Sequence, residues 1–261
     1  MIYENVNKFQ TRKNTLPARN AADPQIDRTR RLIFRTFVSV LALLIGGGLL
    51  YSMGAFDSII AGADEYAIIA NTQPPTATSP ITVKEFFSYG CPHCSDFDPQ
   101  VASWHKSLPA DVRFERSPVS FGNPQYDLYA RTYFSLLGLG ALEQNHVRLF
   151  TAIHQRGQNF IDRAAIAAFV DGHGASEEVM RRAMGSPRVA ARLESAMRDE
   201  QNFRVQEIPA LVVSGHYRID VGKVGRAQAL RIANRLIEAI RAGKPPGAAG
   251  SAHKAAAKGG S

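Results

Sequence analysis

Cys91 and Cys94 are the only two cysteines in this 261-residue chain, and only Pro92 and His93 separate them. A secreted scaffold held together by disulfides needs more cysteines, distributed along the sequence. Because both thiols are concentrated at one place, their spacing indicates chemistry: two neighbouring thiols can exchange with a disulfide.

The predicted elements around this pair favour a reactive thiolate at Cys91. Residues 81–89 are rich in β-branched and aromatic side chains and predict a strand, Gly90 ends it, and a helix is predicted to begin at the cysteines. The first turn of a helix has unpaired N–H groups and the positive end of the helix dipole, and both stabilise a thiolate. We therefore expect a lowered pKa for Cys91, lowered further by His93, and a more buried Cys94 that acts as the resolving thiol. A stabilised thiolate stabilises the reduced form, which makes the disulfide oxidising.

Two other uses of the pair are possible, a zinc site and a structural disulfide. Zinc needs two further ligands, and the chain has no further cysteine. No second pair at ligand spacing is found among His93, His105, His146, His154, His173 and His216. A disulfide across so short a loop would constrain the unfolded chain very little. We therefore expect neither a metal nor another cofactor.

A second signal lies at Ile208–Pro209, directly before a predicted strand that begins at Ala210. A proline at a strand entry is often an ordinary trans edge feature. Because this proline accompanies a strand–cysteine–helix unit, we predict a cis bond that faces the cysteines. Such a turn would offer backbone N–H and C=O groups to an extended substrate peptide. Ile208, Pro209 and Pro92 are therefore the candidate substrate-binding residues.

The rest of the pattern predicts an α/β domain interrupted by helices. Strands are predicted at 65–70, at 111–119 and, around a turn at Gly215, within 210–220. From about 124 to 202 the apolar positions recur at helical spacing, with Asp162 and Ser186 as predicted N-caps. A last amphipathic helix follows Gly225.

These motifs, in this order, resemble the DsbA family of periplasmic thiol:disulfide oxidases. The segments EFFSYGCPHC and IPALVVSGHYRID carry the resemblance, which covers about 65–241. It implies a thioredoxin fold with an inserted all-helical domain at about 124–202. It also implies that the chain introduces disulfides into exported proteins that are still folding, and that a DsbB-like, quinone-linked membrane oxidase reoxidises it. The family's reactive cysteine, resolving cysteine and cis-proline correspond to Cys91, Cys94 and Pro209.

The resemblance also assigns the family's buried acid to Glu85, six residues before Cys91. Bulky neighbours, and cover on both faces of a central strand, would leave this carboxylate away from solvent. If it is unpaired, burial should raise its pKa, and it could accept and return the proton of Cys94. The alternative is a purely structural pairing with a lysine, such as Lys84 or one from another strand.

The two ends of the chain depart from the family pattern. Residues 1–35 hold eight basic and three acidic residues, and residues 242–261 hold three lysines and no acid. The formal net charge of +8 is therefore concentrated in the two tails and does not indicate a nucleic-acid groove. We expect a basic cytoplasmic segment at 1–35 and a flexible low-complexity tail at 242–261.

Between these tails, residues 36–56 carry no charge, and a segment of that length spans a bilayer. Arginines precede it and acids follow it, so the positive-inside rule places the domain after it outside the cytoplasm. The length of the segment favours a retained transmembrane helix over a signal peptide cleaved after Ala63. We therefore expect a periplasmic domain that is anchored to the inner membrane.

Two rival functions stay open from the sequence. One is a disulfide reductase or isomerase, although no separate dimerisation domain is evident and His93 favours an oxidising pair. The other is a membrane-anchored peptide-binding assembly factor, whose activity would not depend on either cysteine.

Overall fold

The computed structural model describes residues 33–41 and 65–244. The chain divides between Ala61 and Gly62 into two units. In the first unit, residues 33–41 form helix α1, and all of its side chains are exposed. The rest of the predicted spanning segment 36–56 lies outside the described residues, as do most of the basic segment 1–35 and the tail from 245 onward. Within the two described ranges, no helix is both long enough and apolar enough to cross a membrane.

The second unit is built on a mixed five-stranded sheet. Its strands are β1 (Ala67–Ile68), β2 (Ile81–Phe87), β3 (Val112–Pro118), β4 (Ala210–Val213) and β5 (Tyr217–Asp220). The strand order is β1-β5-β4-β2-β3, with β2 parallel to β3 and antiparallel to β4. Strand β1 is shorter than the predicted 65–70, because only two of its residues pair with β5. Strand β2 has a partner on each side, so the strand that leads to the cysteines is an interior one.

Five helices lie between β3 and β4, in the range where the sequence predicts helices. They are α3 (Pro124–Leu139), α4 (Leu142–Phe150), α5 (Arg163–Val170), α6 (Glu177–Met184) and α7 (Pro187–Asn202). A π-helical turn, Thr151–Gln155, continues α4 and was not predicted. The remaining helices are α2 (Pro92–Lys106), the short α8 (Val221–Val224) and α9 (Arg226–Arg241).

Local sequence explains where several of these helices begin. The side chains of Asp162 and Ser186 accept hydrogen bonds from the N–H groups of Ala165 and Val189, so both predicted N-caps are confirmed. Asn123 caps α3 in the same way, with a proline at the first helical position.

The core is divided between the sheet and the inserted helices. Helices α2 and α9 pack on one face of the sheet, where Val83, Phe97 and Leu236 are among the buried contacts. Complete burial of each of these side chains contributes roughly 1.5–3 kcal/mol. A separate cluster fills the inserted helices, and it reaches Cys91 and Cys94. The cysteines therefore belong to the cluster of the inserted helices, in a fold of mixed α/β class.

Candidate active site

Cys91 is the N-cap residue of helix α2, and Pro92 occupies the first helical position. The backbone N–H of Cys94 lies 3.3 Å from Cys91 Sγ and donates to it. Both cysteines are free thiols and both are buried, with 5% of Cys91 and 1% of Cys94 exposed. The strand–turn–helix arrangement expected from the sequence is therefore present, and Cys94 is the more buried of the two.

This geometry shifts the pKa values of the two thiols in opposite directions. A hydrogen bond from the thiol of Cys94 lowers the pKa of Cys91, and the N–H groups of Cys94 and His93 add to that effect. These donors outweigh burial and the carboxylate of Asp96, which both act to raise the pKa. Burial raises the pKa of Cys94, and its hydrogen bond to Cys91 raises it further. Cys91 is therefore the thiol that ionises first.

His93 and Pro92 are both exposed beside the buried cysteines. The structure places the backbone N–H of His93 among the groups that lower the pKa of Cys91. The imidazole of His93, to which the sequence assigned that effect, lies on the exposed side of the first turn.

The Ile208–Pro209 bond is cis, as the sequence predicts. The carbonyl oxygen of Ile208 lies 3.7 Å from Cys91 Sγ and accepts a hydrogen bond from the thiol. Residues that are 117 positions apart in sequence therefore meet at the reactive sulfur.

Glu85 is buried on β2, with 2% of the residue exposed. The sequence predicted either an unpaired carboxylate or a lysine partner, and both were wrong: Arg116 Nε on β3 lies 2.8 Å from Glu85 Oε2. The side chain of Lys84 pairs instead with Asp199, because adjacent residues of a strand point to opposite faces. Burial nevertheless raises the pKa of Glu85 to about 7, although the charge of Arg116 acts in the opposite direction.

Arg116 is shared with a second carboxylate, that of Asp98 on α2. Arg116 Nη2 lies 2.7 Å from Asp98 Oδ1, and His146 Nε2 lies 3.0 Å from the same oxygen. Burial alone would raise the pKa of Asp98, but the hydrogen bond from His146 and the charge of Arg116 hold it below its usual range. Asp98 and Arg116 therefore form the ionised pair, and Glu85 is the acid whose proton is exchangeable near neutral pH.

Sequence reasoning missed this network. A signal for Asp98 was available, because it follows Cys94 by four residues and so lies on the same face of α2. The role of Arg116 follows from the pairing of β2 with β3, which sequence alone does not specify.

A cavity of about 930 Å³ reaches the network from outside. Asp98, Arg116 and His146 line it, together with Val147, which is 62% exposed. The ionised end of the network therefore has access to solvent. Within residues 33–41 and 65–244, no cluster of three or more His, Cys, Asp or Glu side chains could hold a metal ion.

Comparison of the sequence and comparison of the structure with known proteins identify the same group of relatives. No family model matches the chain. It is 31% identical over 208 residues to the thiol:disulfide interchange protein DsbA of Azotobacter vinelandii, covering 77% of this chain and 97% of that protein. It is 30% identical over 204 residues to the DsbA of Pseudomonas aeruginosa, covering 78% of this chain and 96% of the relative. A crystal structure of Pseudomonas aeruginosa DsbA matches with a TM-score of 0.65 at 31% identity, over 71% of this chain and 96% of the other.

Proposed function

The chain belongs to the DsbA family of thiol:disulfide interchange proteins, and from that premise we propose that Cys91 exchanges with substrate thiols while Cys94 resolves the mixed disulfide. The protein is a periplasmic thiol–disulfide oxidoreductase that introduces disulfide bonds into other proteins. One observation supports these different roles for the two cysteines. Cys91 accepts hydrogen bonds at the start of α2, which lower its pKa, whereas burial raises the pKa of Cys94.

The proposed reaction begins with the Cys91–Cys94 disulfide. A substrate thiolate attacks Cys91 Sγ, a substrate–Cys91 disulfide forms, and the sulfur of Cys94 leaves and takes up a proton. A second substrate thiolate then attacks the substrate sulfur, and Cys91 leaves as the stabilised thiolate. Two substrate thiols are oxidised to a disulfide, and the Cys91–Cys94 pair is reduced to the free thiols. When no second thiolate attacks, Cys94 resolves the mixed disulfide: its sulfur attacks Cys91 Sγ, the substrate thiolate leaves unoxidised, and the Cys91–Cys94 disulfide forms again.

Glu85 is the proposed proton donor and acceptor for Cys94. Its charge is among the groups that act on Cys94, and its own pKa of about 7 suits exchange near neutral pH. It would give a proton to Cys94 as that sulfur leaves. It would take the proton back when Cys94 attacks the mixed disulfide.

Ile208, Pro209 and Pro92 are the proposed contacts for the substrate peptide. The carbonyl of Ile208 is beside Cys91 Sγ, and Pro92 is exposed next to it. An extended peptide that brings a cysteine to Cys91 would therefore pass between these two segments. The proposed role of His93 is to stabilise the departing Cys91 thiolate, through its backbone N–H.

The proposal extends to the cell envelope and to the domain organisation. A DsbB-like, quinone-linked membrane oxidase would accept the two electrons from the reduced pair. The uncharged segment 36–56 would anchor the enzyme to the inner membrane. The thioredoxin-like domain would span 65–241 and carry the helical insertion at 124–202.

The decisive test combines turnover with the redox equilibrium. Oxidised wild-type protein is mixed with a reduced peptide that carries two cysteines, and peptide disulfide is measured. We expect Cys91→Ser to abolish this oxidation. When Cys94→Ser is mixed instead with the oxidised peptide, Cys91 should attack the peptide disulfide and the mixed disulfide should accumulate, because no second thiol of the protein can resolve it. In glutathione buffers the pair should equilibrate largely to the reduced protein. An equilibrium that favours the protein disulfide would instead indicate a reductase, and full function in Cys91→Ser would indicate a peptide-binding assembly factor.

A further inference from the structure

Tyr89, two residues before Cys91, is held at two points by histidines of the inserted helices. Its hydroxyl lies 2.8 Å from His146 Nδ1, and its backbone carbonyl oxygen lies 2.8 Å from His154 Nε2. Tyr89 and His146 are buried, and His154 is half-buried. Strand β2 ends at Phe87, so the carbonyl of Tyr89 lies beyond the sheet ladder and finds its donor in another part of the fold.

The hydrogen-bonding partners determine where the protons are. A carbonyl oxygen only accepts, so His154 Nε2 carries the hydrogen and donates it to Tyr89. His146 Nε2 faces the carboxylate of Asp98 and donates to it. Burial lowers the pKa of His146 more than that hydrogen bond raises it, so the ring is neutral and its Nδ1 accepts from the hydroxyl of Tyr89.

The π-helical turn Thr151–Gln155 brings the side chains of His146 and His154 to the same side of the helix. Each residue of an α-helix advances by roughly 100°, so eight residues of α-helix would leave His154 roughly 80° away from His146. In a π-helical turn the hydrogen bonds run from i to i+5, and each residue advances less, by roughly 80°. Four α-helical steps to Phe150 and four π-helical steps beyond it therefore return His154 to nearly the direction of His146.

The held residue is close to the reactive sulfur along the chain and in space. Only Gly90 separates Tyr89 from Cys91, and the N–H of Cys91 donates to the carbonyl of Ser88 at 3.1 Å. Gly90 packs so tightly that an added Cβ would lie 3.0 Å from Tyr129 and also 3.0 Å from a second tyrosine of α3. The turn before Cys91 is therefore held by its own hydrogen bond and by close contacts with the inserted helices.

We propose that His146 and His154 are positioning residues, which hold the turn at Tyr89 so that the N–H groups of α2 point at Cys91 Sγ and the pair stays oxidising. This inference rests on the proposed role of Cys91 as the exchanging thiol. If a hydrogen bond between Tyr89 and one of these histidines is removed, the turn at Tyr89 becomes more mobile. The N–H groups of α2 then stabilise the Cys91 thiolate less well. The reduced form then loses stability relative to the disulfide.

The test is the equilibrium of the Cys91–Cys94 pair with glutathione, together with the absorbance of the Cys91 thiolate at 240 nm against pH. We expect His154→Leu to shift the equilibrium about tenfold toward the disulfide, equivalent to about 30 mV, and to move the Cys91 titration to higher pH. His154→Gln keeps an N–H donor and should recover most of the wild-type equilibrium. His173→Leu is the matched control, because His173 also contacts a backbone carbonyl, that of Asp171, on the exposed surface of the insertion.

The hydroxyl contact is tested by Tyr89→Phe, His146→Leu and the double variant. Both substitutions remove the hydrogen bond between Tyr89 and His146, and His146→Leu also removes the bond to Asp98. The double variant should therefore shift the equilibrium no more than His146→Leu alone. Circular dichroism establishes that each variant is folded. Equilibria within twofold of wild type in His154→Leu and Tyr89→Phe would overturn the inference. A wild-type Cys91 that titrates as an ordinary thiol would instead count against the proposed function.

Discussion

Glu85 and Arg116 face each other in register on the parallel strands β2 and β3, with Arg116 Nε 2.8 Å from Glu85 Oε2. The guanidinium also reaches Asp98, so one cation serves two buried carboxylates. The acidic neighbours raise the pKa of Arg116 despite its burial, so it is charged at every working pH. A single positive charge is balanced when Asp98 is ionised and Glu85 is protonated. This balance is the physical reason why Glu85 is available for proton exchange.

Glu85→Gln should slow resolution of the substrate–Cys91 disulfide by Cys94. A positioned general base typically contributes on the order of 10²-fold or more when proton transfer limits the rate. The wild-type rate should rise with pH through about 7, where Glu85 loses its proton, and that inflection should be missing in the variant. Stopped-flow measurement of the mixed disulfide across pH gives both rates.

Glu115→Gln is the control for this experiment, because Glu115 lies on the neighbouring strand and is partly exposed. It should leave both the rate and the inflection unchanged. Equal rates for wild type and Glu85→Gln at every pH would leave Glu85 with a structural role alone.

The same carboxyl should make stability depend on pH. Its pKa is about 7 in the folded protein and 4.5 in the reference state, so between these values the folded protein binds more protons than the unfolded chain. The stability that Glu85 contributes is therefore complete below pH 4.5 and is lost as pH rises through 7. The loss amounts to about 3 kcal/mol, at roughly 1.4 kcal/mol for each pH unit between the two values.

Urea unfolding of wild type and Glu85→Gln at pH 4.5 and pH 8 measures this dependence. The free energy of unfolding of wild type, taken relative to the variant, should fall between the two pH values, and other titrating groups cancel in that difference. A difference that does not change with pH would show that folding leaves the pKa of Glu85 unchanged.

Removing the shared cation should cost more stability than removing a surface cation. Arg116→Met leaves two buried carboxylates without their partner, and breaking a buried pair in this way typically costs about 3–5 kcal/mol. The side chain of Arg113, on the same strand, is 77% exposed, and Arg113→Met should change the free energy of unfolding by less than about 0.5 kcal/mol. Chemical denaturation of both variants decides the matter, and equal losses would contradict the assignment of Arg116 as the central cation.

The N-terminal segment provides a prediction about location. The uncharged length of residues 36–56 and the arginines before it favour a retained anchor. N-terminal sequencing of the mature protein from membrane and soluble fractions should recover the uncleaved chain with the membranes. A mature chain that starts at Asp64 would show cleavage after Ala63 and a soluble enzyme.

The sequence by itself determined the features that depend on a few neighbouring residues. The spacing of Cys91 and Cys94, the glycine before them and the helix after them are sufficient to indicate a thiolate at a helix N-terminus. The N-caps at Asp162 and Ser186 follow for the same reason, because a capping side chain bonds to an N–H group within three residues.

Only the tertiary structure decided which distant groups surround the cysteines. Arg116 reaches Glu85 because of the register between two parallel strands, and a shift of one residue would turn its side chain to the other face. His154 reaches Tyr89 because a π-helical turn changes the direction of the His154 side chain. No local pattern in the sequence predicts that turn. Both partnerships join residues more than 30 positions apart, so they depend on how the whole chain packs.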